Sequence, residues 1–274
     1  MYDKETNTLK LVDVDFLEKF RQELFNSSDP QFVEEKLKWF LSFYEPINTS
    51  LSYNQLHWRA RKCSNKDGFS FVHELLAPPA DLVRPGRMNE ANDPMLYLSG
   101  AANTALSEIE AQPGDFVHMI GISELSNPSL LMVGEIVNAY HGNALFNYSI
   151  TKDVKKVIND MPPRVMKSFV YMDALASEIF RDKNASISNY LYSRILYKLL
   201  KGRYPSLDGI VYPSVAHEGS ANIALKPNIF FNKFSIEVCI VVKVVARYSY
   251  GFFDMDVIRK ATSNDSNGLI VWSV

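Results

Sequence analysis

Cysteine is scarce in this sequence: Cys63 and Cys239 are the two in 274 residues. They stand far apart, in no spacing that a metal site or a redox pair uses, so two reduced and mostly buried thiols are expected. Long apolar runs are missing as well. The longest, Val238 to Ala246, is interrupted by Lys243 and is too short to span a bilayer. The N-terminal stretch MYDKETNTLKLVDVD is charged and has no apolar centre, which excludes a secretory signal and makes the cytoplasm the expected location. Neither sign of charge dominates, with 29 Lys and Arg against 31 Asp and Glu and a formal net charge of −2. Nucleic-acid binding usually needs a basic face, so neither a nucleic acid nor a membrane is expected as partner, although a local basic pocket stays open.

Several catalytic signatures are absent too. There is no Gly-rich dinucleotide fingerprint and no Walker loop, so a nucleotide held in the Rossmann or P-loop manner is not expected. Ser214 and His217 lie close together, but no GxSxG surrounds them and a hydrolase elbow is excluded. His57, His73, His118, His141 and His217 are scattered without metal-ligand spacing, and structural or surface roles are expected for them.

What is present is the composition of a globular protein, 47% hydrophobic and 22% charged, long enough for one large domain or one domain with a small attachment. Residues 13–44 read as two helices. Val14, Leu17, Phe20 and Leu24 share one face, and Asp29-Pro30 then caps a second stripe of Phe32, Val33, Leu37, Phe40 and Leu41. Those aromatic stripes read as packing surface. Residues 46–50 read as a connector, which divides the chain into a helical N-terminal extension, 1–50, and a second region, 51–274.

In the second region, strands are expected at 56–61, 95–99, 115–122, 131–137, 209–212 and 235–248. Helices are expected near 101–110, 170–182 and 187–201, the last from the four-residue repeat of Ile187, Leu191, Ile195 and Leu199. Long loops occupy 77–94 and 213–228, and loops of that length often carry function. The fold class is α+β.

The most informative block is RPGRMNEANDPMLYLSGAANTALSE, from Arg84 to Glu108. It places Arg87 in a turn-rich loop, Tyr97 and Ser99 at the end of a strand, and Glu108 inside the next helix. Ser99 or Asn103 is the expected cap of that helix, and Thr104 and Glu108 share a helix face. On spacing alone, a glutamate among Ala101, Ala102 and Ala105 is more often surface decoration than chemistry. Upstream, HWRARKC sets Arg59 and Arg61 at the same phase of a strand, pointing to one side. Arginine suits phosphate oxygens through its fixed fork of donors, but a solvated strand face is the commoner reading. Downstream, DGIVYPSVAHEGSAN puts Ser214 just past a strand end, where it either caps a turn or offers its hydroxyl to a ligand.

Taken in order, WRAR, GRMN with DPMLYLS and TALSE, and GIVYPS with an asparagine further on resemble the RES family over roughly residues 56–230. The resemblance implies a compact mixed β-sheet core similar to ADP-ribosyltransferases of the diphtheria-toxin class. It also implies NAD as substrate rather than prosthetic cofactor, and toxicity by NAD depletion with an antitoxin that blocks the pocket. By the same resemblance Arg59 and Arg87 are the two arginines, with Arg61 as an alternative to Arg59. Tyr97 and Asn222 contact NAD, Glu108 is the glutamate and Ser214 the serine. Glu108 and Arg87 are the residues implied for catalysis.

Breaking the nicotinamide–ribose bond builds positive charge on the sugar, which a fixed carboxylate stabilises, while arginines hold the pyrophosphate. Tyr97 is then placed to stack on a ring of the substrate, and Ser214 to donate to its carboxamide or a ribose hydroxyl. The acceptor separates a glycohydrolase, a phosphorylase and a mono-ADP-ribosyltransferase. A non-catalytic NAD-binding module, and helices 13–44 serving as an assembly element of a homo-oligomer, are readings of other classes. The helices at 13–44 and the tail after about residue 232 lie outside the resemblance.

Overall fold

The computed structural model describes residues 2–3, 8–9, 12–50, 55–145 and 148–273. Residues 1, 4–7, 10 and 11 of the charged N-terminal stretch, and the 51–54 segment at the expected boundary, lie outside the described residues. Strands β1 (Tyr2–Asp3) and β2 (Thr8–Leu9) form a separate antiparallel pair. Helix α1 (Val14–Phe25) starts at Asp13, whose carboxylate accepts the Asp15 amide at 3.0 Å. Helix α2 (Pro30–Leu41) starts in the same way at Asp29, which accepts the Gln31 amide at 3.0 Å, with proline at its first position. Their stripes are packing surface, as read: Leu17, Phe20, Leu24, Val33, Leu37 and Phe40 are buried.

The remaining elements follow in chain order as β3 (Ile47–Ser50), β4 (His57–Cys63), β5 (Leu96–Ser99) and α3 (Ala102–Glu108). Next come β6 (Phe116–Glu124), β7 (Ser129–Met132), α4 (Glu135–Tyr140), α5 (Tyr148–Asn159), α6 (Pro163–Arg181) and α7 (Leu191–Arg203). The chain then runs through β8 (Gly209–Pro213), β9 (Ala221–Leu225), α8 (Phe230–Lys233), β10 (Phe234–Arg247), β11 (Phe253–Asn264) and β12 (Ile270–Trp272). Ten strands form one mixed sheet in the order β12-β11-β10-β6-β4-β5-β9-β8-β7-β3, antiparallel at every junction except the parallel pair β7–β8. The α+β class is therefore correct.

A core of α1, α2, α6 and α7 covers one stretch of this sheet, through Leu131, Ile210, Tyr212 and Ala224. On alternate positions of the same strands Leu130, Val211, Ile223 and Leu225 belong to a second core, as the two-residue period of a strand requires. Among the described residues no helix is long and apolar enough to cross a membrane.

Four local readings are corrected. The strand expected at 131–137 stops at Met132, because the chain turns at Gly134 and enters α4. Gly134 has φ +92°, and a Cβ there would lie 2.9 Å from the Pro213 ring and 3.0 Å from Ser177 Oγ. Neither the backbone nor the space admits a side chain. The 213–228 loop contains β9, and the 46–50 connector contains β3, which pairs with β7. Helix α7 starts at Leu191, so Ile187 lies before it and is exposed.

One junction of the sheet is weak. Strands β4 and β5 share a single ladder pair, Trp58 with Ser99, whereas β4 pairs with β6 over seven residues. Beyond that pair the two halves of the sheet diverge, and a cavity opens between them.

On the far side of β6, His118 is fully buried; the Phe69 amide donates to its Nδ1 at 3.1 Å and its Nε2 faces Cys239 Sγ at 3.2 Å. The accepted bond fixes the neutral tautomer with its proton on Nε2. Burial, reinforced by the nearby Arg259, pushes the imidazole from 6.5 down to about 4. In the unfolded chain the same group takes up a proton near 6.5. Its contribution to stability is therefore complete above that pH and is lost as pH falls toward 4. His118→Gln should flatten the decline of the urea midpoint between pH 7 and pH 4. An unchanged slope would contradict a buried neutral histidine.

Candidate active site

The cavity at the β4–β5 divergence has a volume of about 310 Å³. A row of residues directly opposite one another crosses four strands at its floor: Trp58 on β4, Ser99 on β5, Asn222 on β9 and Tyr212 on β8. Opposed residues of antiparallel strands point to the same face, so the register alone brings these side chains together.

Arg59 has the opposite phase on β4 and reaches the cavity through the gap. Its Nε donates to the Leu75 carbonyl at 2.7 Å, one terminal nitrogen to Tyr97 O at 2.9 Å and the other to Leu76 O at 3.2 Å. The guanidinium thus satisfies a β5 carbonyl where the ladder has ended. All three partners are neutral, so its charge is not cancelled. Burial, and then repulsion from Arg61, lower its pKa to about 10. With three of five donors committed, Arg59 offers a ligand charge more than a fork of bonds. Arg61, the alternative, does not line the cavity; it donates to the Glu74 carbonyl and lies 4.7 Å from the Phe69 ring centre.

Arg87 projects from a tight turn. The Gly86 amide donates to Asn89 O at 3.1 Å, and the Asn89 side-chain amide donates to the carbonyls of Arg84 at 2.8 Å and Glu90 at 3.0 Å. Gly86 is required here because a Cβ would come within 2.6 Å of Asn89 Oδ1. Tyr97 locks this turn, donating its hydroxyl to Asn89 Oδ1 at 2.9 Å and accepting the Met88 amide at 3.2 Å. Burial raises its phenol well above the ordinary range, so it stays protonated and able to donate. The ring lines the cavity, but the hydroxyl belongs to the loop. Arg87 itself donates to the Phe180 carbonyl at 3.1 Å and lies 5.6 Å from the Tyr190 ring centre. Among the described residues neither Arg59 nor Arg87 is paired with a carboxylate.

Glu108 closes the opposite wall, at the end of α3. Ser214 Oγ donates to its Oε1 at 2.6 Å and Asn222 Nδ2 to the same oxygen at 2.5 Å. The orientation of Asn222 is set from behind by Ser99 Oγ, which donates to Asn222 Oδ1 at 2.9 Å. Ser214 Oγ in turn accepts the His217 amide at 3.0 Å. With both donors on Oε1, Oε2 is left to face a ligand. Ser214 is buried and is not among the residues lining the cavity, its proton donated to Glu108.

The helix cap is also corrected. The cap position is Ala101 without a side-chain bond, because Ser99 is engaged with Asn222. Thr104, on the same face as Glu108, bonds His217 Nδ1 at 3.1 Å and Ser220 Oγ at 2.8 Å and so fastens the 214–220 loop to α3.

The structure therefore gathers Arg59, Arg87, Tyr97, Glu108 and Asn222 around one cavity, with Ser214 directly behind Glu108. Sequence reasoning missed Trp58, Ser99 as the Asn222 partner, Tyr190 and Tyr212. Trp58 and Tyr212 stand within two residues of chosen positions, and strand register links them; Tyr190 carries no sequence signal. Glu108 is the sole acid among the described lining residues. Among the described residues no group of three His, Cys, Asp or Glu side chains is placed to hold a metal ion.

Comparison with known proteins agrees with the motifs. No curated protein matches the chain. Among solved structures, a chain of the M. tuberculosis MbcT-MbcA toxin-antitoxin complex is similar over 79% of this chain and 94% of that one, with 9% identity and a TM-score of 0.39. The RES domain matches residues 56–233, well over half of the sequence and the span that contains every residue of the cavity. The chain belongs to the RES domain family.

Proposed function

We propose that this protein cleaves the nicotinamide–ribose bond of NAD, with water or inorganic phosphate as acceptor. The observation that carries the reading is the charge layout of one cavity: among the described residues, a single lining carboxylate, oriented by Ser214 and Asn222, shares the cavity with two arginines that no carboxylate neutralises. Bond rupture leaves positive charge on the ribose, and Oε2 of Glu108 stabilises it electrostatically or orients a ribose hydroxyl. The leaving pyridinium departs as neutral nicotinamide, so no general acid is required, which fits a wall with one acid rather than the pair that O-glycoside cleavage uses. Arg87 and Arg59 hold the diphosphate. NAD is the substrate in this scheme, no prosthetic group is needed, and Tyr97 and Tyr212 supply planar surface. A volume near 310 Å³ is at the low end for small-molecule sites, so part of the dinucleotide lies outside the cavity. The family resemblance supports NAD depletion as the biological effect and an antitoxin that covers the cavity as the partner.

Incubating purified protein with NAD, with and without phosphate, tests the reading. Free ADP-ribose indicates a glycohydrolase and ADP-ribose phosphate a phosphorylase; no release of nicotinamide under either condition refutes it. Arg87→Ala should raise the apparent KM for NAD by roughly tenfold or more, the scale of a charge-assisted phosphate contact, while the melting temperature stays near that of the parent. An unaltered KM would remove Arg87 from substrate binding.

A further inference from the structure

Tyr190 stands at the head of α7 with φ +58°, directly after Asn189 with φ +52°. Two successive left-handed residues without a glycine are costly, and such conformations persist only where the surroundings over-determine them. Here the backbone supplies that constraint. The Tyr190 amide donates to Ala185 O at 2.6 Å, and its carbonyl accepts the Arg194 amide at 2.9 Å and Ser193 Oγ at 3.2 Å. None of these bonds needs a tyrosine side chain, for which glycine would be the relaxed choice.

The ring points elsewhere. It lines the cavity, 5.6 Å from the Arg87 guanidinium carbon. Among the described residues the remaining hold on Arg87 is one bond, from Nη1 to the Phe180 carbonyl at 3.1 Å. Those two contacts come from opposite ends of the 182–190 turn, one from the end of α6 and one from the head of α7. Both are neutral groups. A carboxylate in either place would fix the guanidinium but cancel the charge that a diphosphate needs, whereas a π face orients the cation and leaves its charge available.

We propose that Tyr190 is a positioning residue for Arg87, its strained turn aiming the ring so that the free N–H donors face the diphosphate of a bound dinucleotide. The inference rests on the NAD reading above and adds to it a residue outside the family motifs.

The test uses Tyr190→Phe, Tyr190→Ala and Tyr190→Gly in the full chain, with NAD kinetics, inorganic pyrophosphate titrations and thermal melts. Ala and Gly should weaken pyrophosphate binding and raise KM by about five- to tenfold, the effect falling on KM more than on kcat, and Phe should restore most of the loss. Because Ala and Gly both lack the ring and differ in backbone tolerance, the Gly variant should melt a few degrees above the Ala variant. Equal pyrophosphate affinity in the Ala variant and the parent, or no recovery with Phe, overturns the role. Pyrophosphate binding that depends on Tyr190 in a protein that releases no nicotinamide would uphold the positioning role and sink the NAD reading alone.

Discussion

Replacing Glu108 by glutamine is expected to reduce NAD turnover by roughly 10²- to 10³-fold, the scale associated with losing one preorganised electrostatic group. The geometry explains why so small a change is so costly. Ser214 and Asn222 both donate to Oε1, so the amide oxygen of a glutamine will occupy that position and its NH2 will replace Oε2. The atom facing the ribose then becomes a donor carrying partial positive charge, opposed to the charge developing on the sugar. The fold should not notice: Glu108 is at the solvent-accessible end of α3 and both of its bonds survive in the amide. A melting temperature equal to the parent's, with turnover nearly abolished, is the expected pair of results. Turnover within a few-fold of the parent would remove the carboxylate from the mechanism.

The second large effect concerns stability. Asp173 of α6 is fully buried, and its Oδ1 accepts the Tyr44 hydroxyl at 2.7 Å and the Gly134 amide at 3.0 Å while Oδ2 accepts the Val137 amide at 2.9 Å. One side chain thus joins the segment after α2, the Gly134 turn and the first turn of α4, satisfying donors that are largely shielded from water. Burial raises its pKa, and the hydrogen bonds from Tyr44 and the backbone oppose that shift. Asp173→Ala leaves three buried donors without an acceptor, each costing about 1–3 kcal/mol. A loss of roughly 3–5 kcal/mol is expected once some relaxation is allowed, and a melting temperature lower by about 10 °C. Asp173→Asn should lose less, since its oxygen still serves Tyr44 and Gly134 while its NH2 confronts the Val137 amide. Urea unfolding of both variants checks the order, and an alanine variant within about 1 kcal/mol of the parent would contradict the network.

Much of this was legible in the sequence wherever periodicity and motif agreed. The stripes of α1 and α2, the Asp29-Pro30 cap, and the strands bearing Arg59 and Tyr97 could be read because each repeats a local pattern that tertiary contacts then reinforce. Strand β9 could not: Ala221–Leu225 is short and embedded in Gly, Asn and Pro, and becomes a strand by pairing on both sides with β5 and β8. The 131–137 run failed for the opposite reason, an apolar composition that hides a left-handed turn at Gly134. At the site, residue identity was legible and partnership was not. Nothing local says that Ser214 donates to Glu108 instead of a ligand, or that Tyr97 spends its hydroxyl on the Arg87 turn. Such choices are decided by register between strands far apart in sequence.

The donors on Glu108 arrive from 106 and 114 positions further along the chain. A ribosome will therefore have completed α3 long before Ser214 and Asn222 leave the exit tunnel, and until then the acid has no fixed direction. In the proposed scheme the carboxylate is therefore oriented only after a further 106 to 114 residues have been made.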